Sequence, residues 1–160
     1  MKSLSVFLLV AVLYFPSQAQ TDPARNSVYI EFLGNGIIYS LNYDRMFTES
    51  FGARAGVGYI EPIAESIVSF PLMLNYLVGK GNSKFELGIG ATIISQSENS
   101  GFSFISDDKE FTGSGVLGTL TIGYRYQRNE EGFVFRAGFT PLFGKIGFWP
   151  LAGLSVGYGF

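Results

Sequence analysis

The sequence contains neither cysteine nor histidine among its 160 residues. Without cysteine it cannot form a disulfide framework, a thiolate nucleophile or a thiolate metal site. Without histidine it lacks the usual general base near neutral pH and the commonest metal ligand in proteins. These absences predict that the protein is not an enzyme and that it uses no cofactor or metal.

Positive charge and long apolar runs are also scarce. The formal net charge is −2 at pH 7, so nothing indicates a nucleic-acid partner. Hydrophobic residues make up 47% of the chain, yet the only long apolar run is close to the N-terminus. The remaining apolar residues must therefore be spread out by alternation with polar ones.

The N-terminal 19 residues have the features of a secretory signal peptide. Lys2 supplies a positive start, residues 4–15 form an apolar core, and small residues end the segment at Ala19. The alternative, a membrane anchor, needs roughly 20 apolar residues to span a bilayer. We therefore expect Sec-type export and cleavage between Ala19 and Gln20.

From residue 28 onward the sequence follows a period of two, which is typical of β-strands. Residues 151–160 show it best, because apolar side chains alternate with glycine and serine. Residues 34–36 form a tight-turn signal. Pro71, inside one segment, either weakens that strand or implies a bulge. The predicted strands are residues 28–33, 37–46, 51–60, 66–78, 84–95, 112–127, 132–141 and 149–160, with residues 142–148 as a loop.

The strand pattern predicts an all-β fold, an eight-stranded antiparallel up-and-down transmembrane β-barrel in the bacterial outer membrane. Residues 20–27 would be a short periplasmic tail, and residues 28–160 the barrel domain. A soluble lipocalin-like barrel or sandwich would need long polar side chains on its outer surface, whereas the polar faces here carry mainly Gly, Ser, Thr and Asn. Aromatic residues gather at the outer ends (Tyr39, Tyr59, Phe70, Phe139, Trp149) and the inner ends (Tyr43, Phe51, Tyr76, Phe85, Tyr126, Phe133, Phe160) of the strands.

The alternating strands, the signal peptide and residues 156–160 resemble the small outer-membrane barrels of the OmpX and OmpA transmembrane-domain type. In that group a terminal aromatic pair, here Tyr158 and Phe160, is read by the outer-membrane assembly machinery. The resemblance therefore implies that machinery and outer-membrane lipid as partners. It does not imply a shared task, because barrels of this type perform unrelated functions.

Charged residues on the lumenal faces are the candidate functional site. The predicted cluster lies toward the periplasmic end and comprises Asp44, Arg54, Glu86, Arg125 and Arg136, with Lys84 at its rim. The strand register places Asp44 across from Arg54, close enough for an ion pair. Glu86 could reach Arg125. The outer half of the lumen would be lined mainly by small polar residues, with Ile38 and Leu151.

Three functions remain open at this point. The first is a non-enzymatic barrel with a plugged lumen, which acts structurally or binds a surface partner through loop residues 96–111. The second is a narrow ion or small-solute channel gated by the charge cluster. The third is a lipid-modifying enzyme, which would lack a histidine base for a serine nucleophile.

Overall fold

The computed structural model describes residues 24–60, 67–96, 115–144 and 147–160. Their backbone forms one antiparallel sheet that closes into a barrel. The strands are β1 (Asn26–Phe32), β2 (Tyr39–Met46), β3 (Phe51–Ile60), β4 (Ile67–Val78), β5 (Ser83–Gln96), β6 (Gly115–Gln127), β7 (Gly132–Phe139), β8 (Leu142–Gly144), β9 (Gly147–Trp149) and β10 (Ala152–Gly159). The predicted signal peptide, and the predicted loop except Gln96, lie outside the described residues.

From β1 to β7 each strand pairs with the next along the chain. Beyond β7, β8 pairs with β6 and β9, and β10 pairs with β7 and with β1, which closes the barrel. Asn26, Phe160 and the turns after β2, β4 and β6 lie at one end, which we call the terminus end; the opposite end is the loop end. Closure removes the exposed edge that an open sheet would present. The predicted eight-stranded antiparallel barrel is confirmed.

Two of the eight barrel strands are each interrupted by a proline: Pro141 separates β7 from β8, and Pro150 separates β9 from β10. The register between β6 and β7 continues unchanged into β8, beyond Pro141. The register between β7 and β10 likewise continues between β8 and β9, beyond Pro150. The prediction that residues 142–148 form a loop was therefore wrong at β8 and β9. Proline interrupts the ladder locally without shifting the strands.

Pro71 lies within β4 and is buried. The register between β3 and β4 is the same on both sides of it, since Ala55 pairs with Leu72 and Gly58 pairs with Ser69. A bulge would have shifted the pairing by one residue. The strand is thus continuous, and the alternative of a bulge was wrong.

The strands alternate between an apolar outer face and a small or polar inner face. Along β10, for example, Leu154, Val156 and Tyr158 are exposed while Gly153 and Ser155 are buried. Ile89 and Val116, on other strands, expose 62% and 65% of their surface. An apolar belt of this extent is unfavourable in water and suits a bilayer. Across the described ranges, no helix is long and apolar enough to cross a membrane.

Three side chains face opposite to their predicted directions. Ile38 was expected in the lumen and Ile37 on the apolar outer face, but Ile38 is exposed and Ile37 is buried. The reason is local, because Leu33 and Ile37 both have positive φ and the alternation restarts after the turn. Trp149 was expected in the outer aromatic belt, whereas it packs on a buried apolar cluster beside Leu151. Trp149 and Leu151 are two residues apart and therefore share a face.

Candidate functional site

The lumen near the terminus end contains all five of the predicted inward charges. Each of these side chains is at most 4% exposed: Asp44, Arg54, Glu86, Arg125 and Arg136. A sixth buried charge, Glu31, joins them. The set has three carboxylates and three guanidinium groups, so its formal charge sums to zero. Charge balance is a requirement here, because an unpaired buried charge is strongly destabilising.

Arg125 and Asp44 form the first buried pair. Nη1 of Arg125 donates to Oδ2 of Asp44 at 3.1 Å, and Nη2 donates to Oδ1 at 3.3 Å. Asn75 also donates to Oδ2, at 2.8 Å. The Nε atom of Arg125 donates to Gln127 at 2.9 Å. This two-point contact fixes the planar guanidinium against the carboxylate.

Glu86 and Arg136 form the second pair. Nε and Nη2 of Arg136 donate to the two oxygens of Glu86 at 2.8 and 2.6 Å. The same carboxylate lies 3.8 Å from Nη1 of Arg125, which links the two pairs. The expectation that Glu86 would reach Arg125 matches this geometry, although Arg136 is its closer partner.

Tyr29 connects the Glu86–Arg136 pair to a third ion pair, which Arg54 forms with Glu31. The Arg136 guanidinium carbon lies 4.7 Å from the Tyr29 ring centroid, and Nη1 donates to the tyrosine hydroxyl. Nη1 of Arg54 donates to the same hydroxyl at 3.3 Å and to Glu31 at 3.3 Å. Nε and Nη2 of Arg54 and Oε2 of Glu31 have no hydrogen-bond partner within the described part of the chain.

The predicted Asp44–Arg54 ion pair was wrong, although its register was right. The two residues are directly opposite on β2 and β3. No ion pair joins them among the described residues; Asp44 binds Arg125 and Arg54 binds Glu31. Residues that are paired across two strands have their Cβ atoms close together. The guanidinium of an arginine, however, lies several bonds beyond its Cβ atom. In a narrow lumen it can reach a strand on the far wall.

Lys84 lies apart from this network. Its side chain is half-buried at the terminus-end mouth, where it is opposite Arg125 in the strand register. None of the ion pairs between described residues includes it. Lys84 is therefore a rim residue, as the sequence indicated. The sixth charge of the buried network is Glu31.

Glu31 and Tyr29 were missed in the sequence. Both alternate with Val28, Ile30 and Phe32 along β1, so the period of two already placed them on the inner face. The signal was present, because strand faces follow from the period alone.

The turn at residues 34–36 folds into the lumen instead of projecting from the loop end. All three of its residues are buried. Asn35 donates to Thr121 at 3.0 Å and accepts from Thr119 at 2.7 Å. Its carbonyl oxygen accepts from Thr92 at 2.8 Å. One short turn thus fills the middle of the barrel and ties β1–β2 to β5 and β6.

Beyond the turn, the loop-end part of the lumen is apolar. Five buried side chains pack together there: Ile37, Ile67, Ile94, Leu117 and Leu142. Trp149 and Leu151 cover this cluster. A mainly polar lining was expected in this half, and Ser40, Ser69, Thr92, Thr119 and Thr140 are indeed buried. The apolar cluster was not foreseen.

Three layers therefore fill the barrel between its two ends: the ion-pair network, the buried turn and the apolar cluster. A cavity of about 10 Å³ remains beside Glu31, Glu86 and Arg136. That volume is about enough for one water molecule. The arrangement is suited to holding the barrel walls together.

The chain thus forms a closed antiparallel barrel with an apolar outer belt and side chains that fill its lumen. The fold is that of the small eight-stranded barrels of the bacterial outer membrane, of the OmpA and OmpX type. The expected outer-membrane localisation and lipid surroundings agree with this fold. Tyr158 and Phe160 are both exposed on its outer face.

Comparison with solved structures finds two outer-membrane barrels of similar fold. The chain is similar to the N-terminal β-barrel domain of Pseudomonas aeruginosa OprF, with a TM-score of 0.61 and 17% identity over 85% of this chain and 96% of that one. It also matches Yersinia pestis Ail, with a TM-score of 0.48 and 12% identity over 86% and 99% of the two chains. No family model matches the chain, and no curated protein matches it.

Proposed function

We propose that the protein is a non-enzymatic outer-membrane barrel whose lumen is permanently closed and whose biological work is done at the loop end. The barrel would serve as an anchor. Loop residues 96–111, with Phe102, Phe104 and Ile105 among serines, would provide the main contact surface for a partner. Loops positioned by a rigid scaffold commonly carry the function of such proteins.

The burial and bonding of side chains across the lumen are the observations that support this proposal. Arg125 and Asp44 are both 0% exposed, and the turn at Asn35 is bonded across the barrel. A pore would require these bonds to break together. An anchor requires only that they hold.

Two measurements test the proposal. Purified protein should give no discrete conductance in planar lipid bilayers. Deleting residues 97–111 should leave the boiled and unboiled forms distinguishable on a gel, while abolishing adhesion of expressing cells to the surface or partner that the intact protein recognises. Unchanged adhesion would contradict the role of the loop.

A narrow channel is the alternative function. It is favoured by three of the six buried polar atoms that have no partner within the described residues, the three on Arg54 and Glu31, because such atoms are commonly satisfied by water. A chain of water along this side of the lumen could conduct small ions. Discrete conductance that changes in Arg54→Ala or Glu86→Ala would establish the channel and overturn the closed anchor.

A further inference from the structure

The outer wall of the barrel carries a groove of about 660 Å³ on β2 to β5. It lies on the face that the apolar belt presents to lipid. Its volume is within the range of about 300–1,000 Å³ that is usual for small-molecule sites.

Two alanines form the floor of this groove. Ala55 is paired with Tyr43 on one side and Leu72 on the other, and Ala53 is paired in the same way with Arg45 and Leu74. The outward side chains on either side are much larger than alanine and form the two sides of the groove: Tyr43 and Arg45 on β2, Leu72 and Leu74 on β4. Phe47 and Phe51 pack on each other at the terminus end, with ring centroids 6.0 Å apart.

Arg45 is the charged group beside this groove. It is exposed on the outer face of β2, one residue before the strand ends at Met46. None of the ion pairs or side-chain hydrogen bonds in the described ranges includes Arg45. Tyr43 and Phe47 line the groove together with Arg45, and such aromatic rings mark the level of lipid headgroups.

We propose that this groove is a binding site for a single glycerophospholipid. The phosphate accepts hydrogen bonds from the Arg45 guanidinium, and one acyl chain lies over Ala53 and Ala55 between Tyr43 and Leu72. This site is independent of the lumen and of the loops, and so goes beyond the proposed function.

Charge and direction favour this occupant. A guanidinium matches the geometry of a phosphate with two parallel hydrogen bonds. From Arg45 the groove runs along β3 toward the middle of the belt, which is the path of an acyl chain below its headgroup. A second copy of the barrel would instead place an apolar wall against the exposed Arg45 charge and leave it without a partner.

The site can be tested by native mass spectrometry of the folded protein in detergent with added dimyristoyl phosphatidylglycerol. We expect a one-lipid complex. Arg45→Gln removes the charge and Ala55→Leu fills the groove, and each should weaken binding about tenfold, the factor that corresponds to losing one charged hydrogen bond or a comparable contact. Lys80→Gln, in an exposed turn, and Ala152→Leu, on the outer face of β10, are matched controls that should bind as the unmodified protein does.

Other ligands separate the two parts of the proposal. Phosphatidylethanolamine shares the phosphate and should bind, whereas a diacylglycerol with the same chains should bind about tenfold more weakly. Equal binding of the diacylglycerol, or unchanged binding in Arg45→Gln, would overturn the phosphate contact. A dimer that Ala55→Leu abolishes would identify a second copy as the occupant and overturn the lipid site. Each variant is first verified as folded by its different migration before and after boiling.

Discussion

Arg125 is the residue on which the lumenal network converges. It binds Asp44 through two atoms, contacts Glu86 and donates to Gln127. Its side chain is fully buried, so the carboxylates of Asp44 and Glu86 are what compensate its positive charge. Removing one member of such a network leaves other charges buried without partners.

We therefore expect Arg125→Met to lower the free energy of unfolding by about 3–5 kcal/mol, because Asp44 would then be buried without its guanidinium partner. Urea unfolding in lipid vesicles measures this change. The double variant Arg125→Met with Asp44→Asn should recover a large part of the loss, because it removes the orphaned charge as well.

The exposed pair Arg128–Glu130 provides the control. Its side chains are 53% and 84% exposed and its N–O distance is 3.9 Å. Arg128→Met should leave the unfolding free energy within about 0.5 kcal/mol of the original, as is usual for exposed surface positions. Equal effects at Arg125 and Arg128 would show that the lumenal pair contributes no special stability.

Among the elements, the turn at residues 34–36 differs most from its expected role. Its position between β1 and β2 is that of a hairpin turn, but its residues are buried and fill part of the lumen. Leu33 and Ile37, on either side, have φ values of 56° and 82°, which are unfavourable for side chains of this size. The contacts made by Asn35 inside the barrel offset this strain.

Asn35→Ala should destabilise the barrel by about 1–3 kcal/mol, because Thr119 and Thr121 would lose their partner in a dry interior. The same urea experiment measures the loss. Asn82→Ala is the matched control, since Asn82 is exposed in a turn and its backbone oxygen accepts from the Gln127 amide, whereas its side chain makes no hydrogen bond to the described part of the chain. A loss as small as that of the control would show that the buried turn is not held by its side chain.

The strand faces were predictable and the buried turn was not, for a physical reason. Facing follows from a local period of two, which is why Asp44, Glu86 and Arg125 were placed correctly in the lumen. The Asn35 bonds to Thr119 and Thr121 join residues 84 and 86 positions apart. The pairing of Asp44 with Arg125 spans 81 positions. Which side chains meet across a lumen depends on the curvature of the whole barrel, and a one-dimensional pattern does not contain that information.

At the scale of the whole molecule, the seam between β1 and β10 decides whether the barrel closes. Asn26 and Phe160 exchange backbone hydrogen bonds of 2.9 and 2.8 Å at its terminus end. Gly157 lies in this seam opposite Tyr29. A Cβ atom at Gly157 would overlap the Val28 carbonyl oxygen and the Tyr29 Cβ atom.

We expect Gly157→Ala to destabilise the closed barrel by about 3 kcal/mol, because the overlap is with backbone and the strands must separate. The fraction that migrates as the folded form in an unboiled sample reports this loss. Gly159→Ala is a close control on the same strand and face, since its Cβ would lie 3.4 Å from Gln127 and Val134, an ordinary contact. Similar folding of the two variants would contradict a tight seam.

The inward turn at Asn35 also determines where this barrel can accept inserted residues. Exposed loop tips are the sites that tolerate insertions, and chain position alone would nominate residues 34–36. An insertion there would have to fit among Thr92, Thr119 and Thr121, inside the barrel. The first hairpin is therefore closed to insertion, unlike a turn that projects from the barrel.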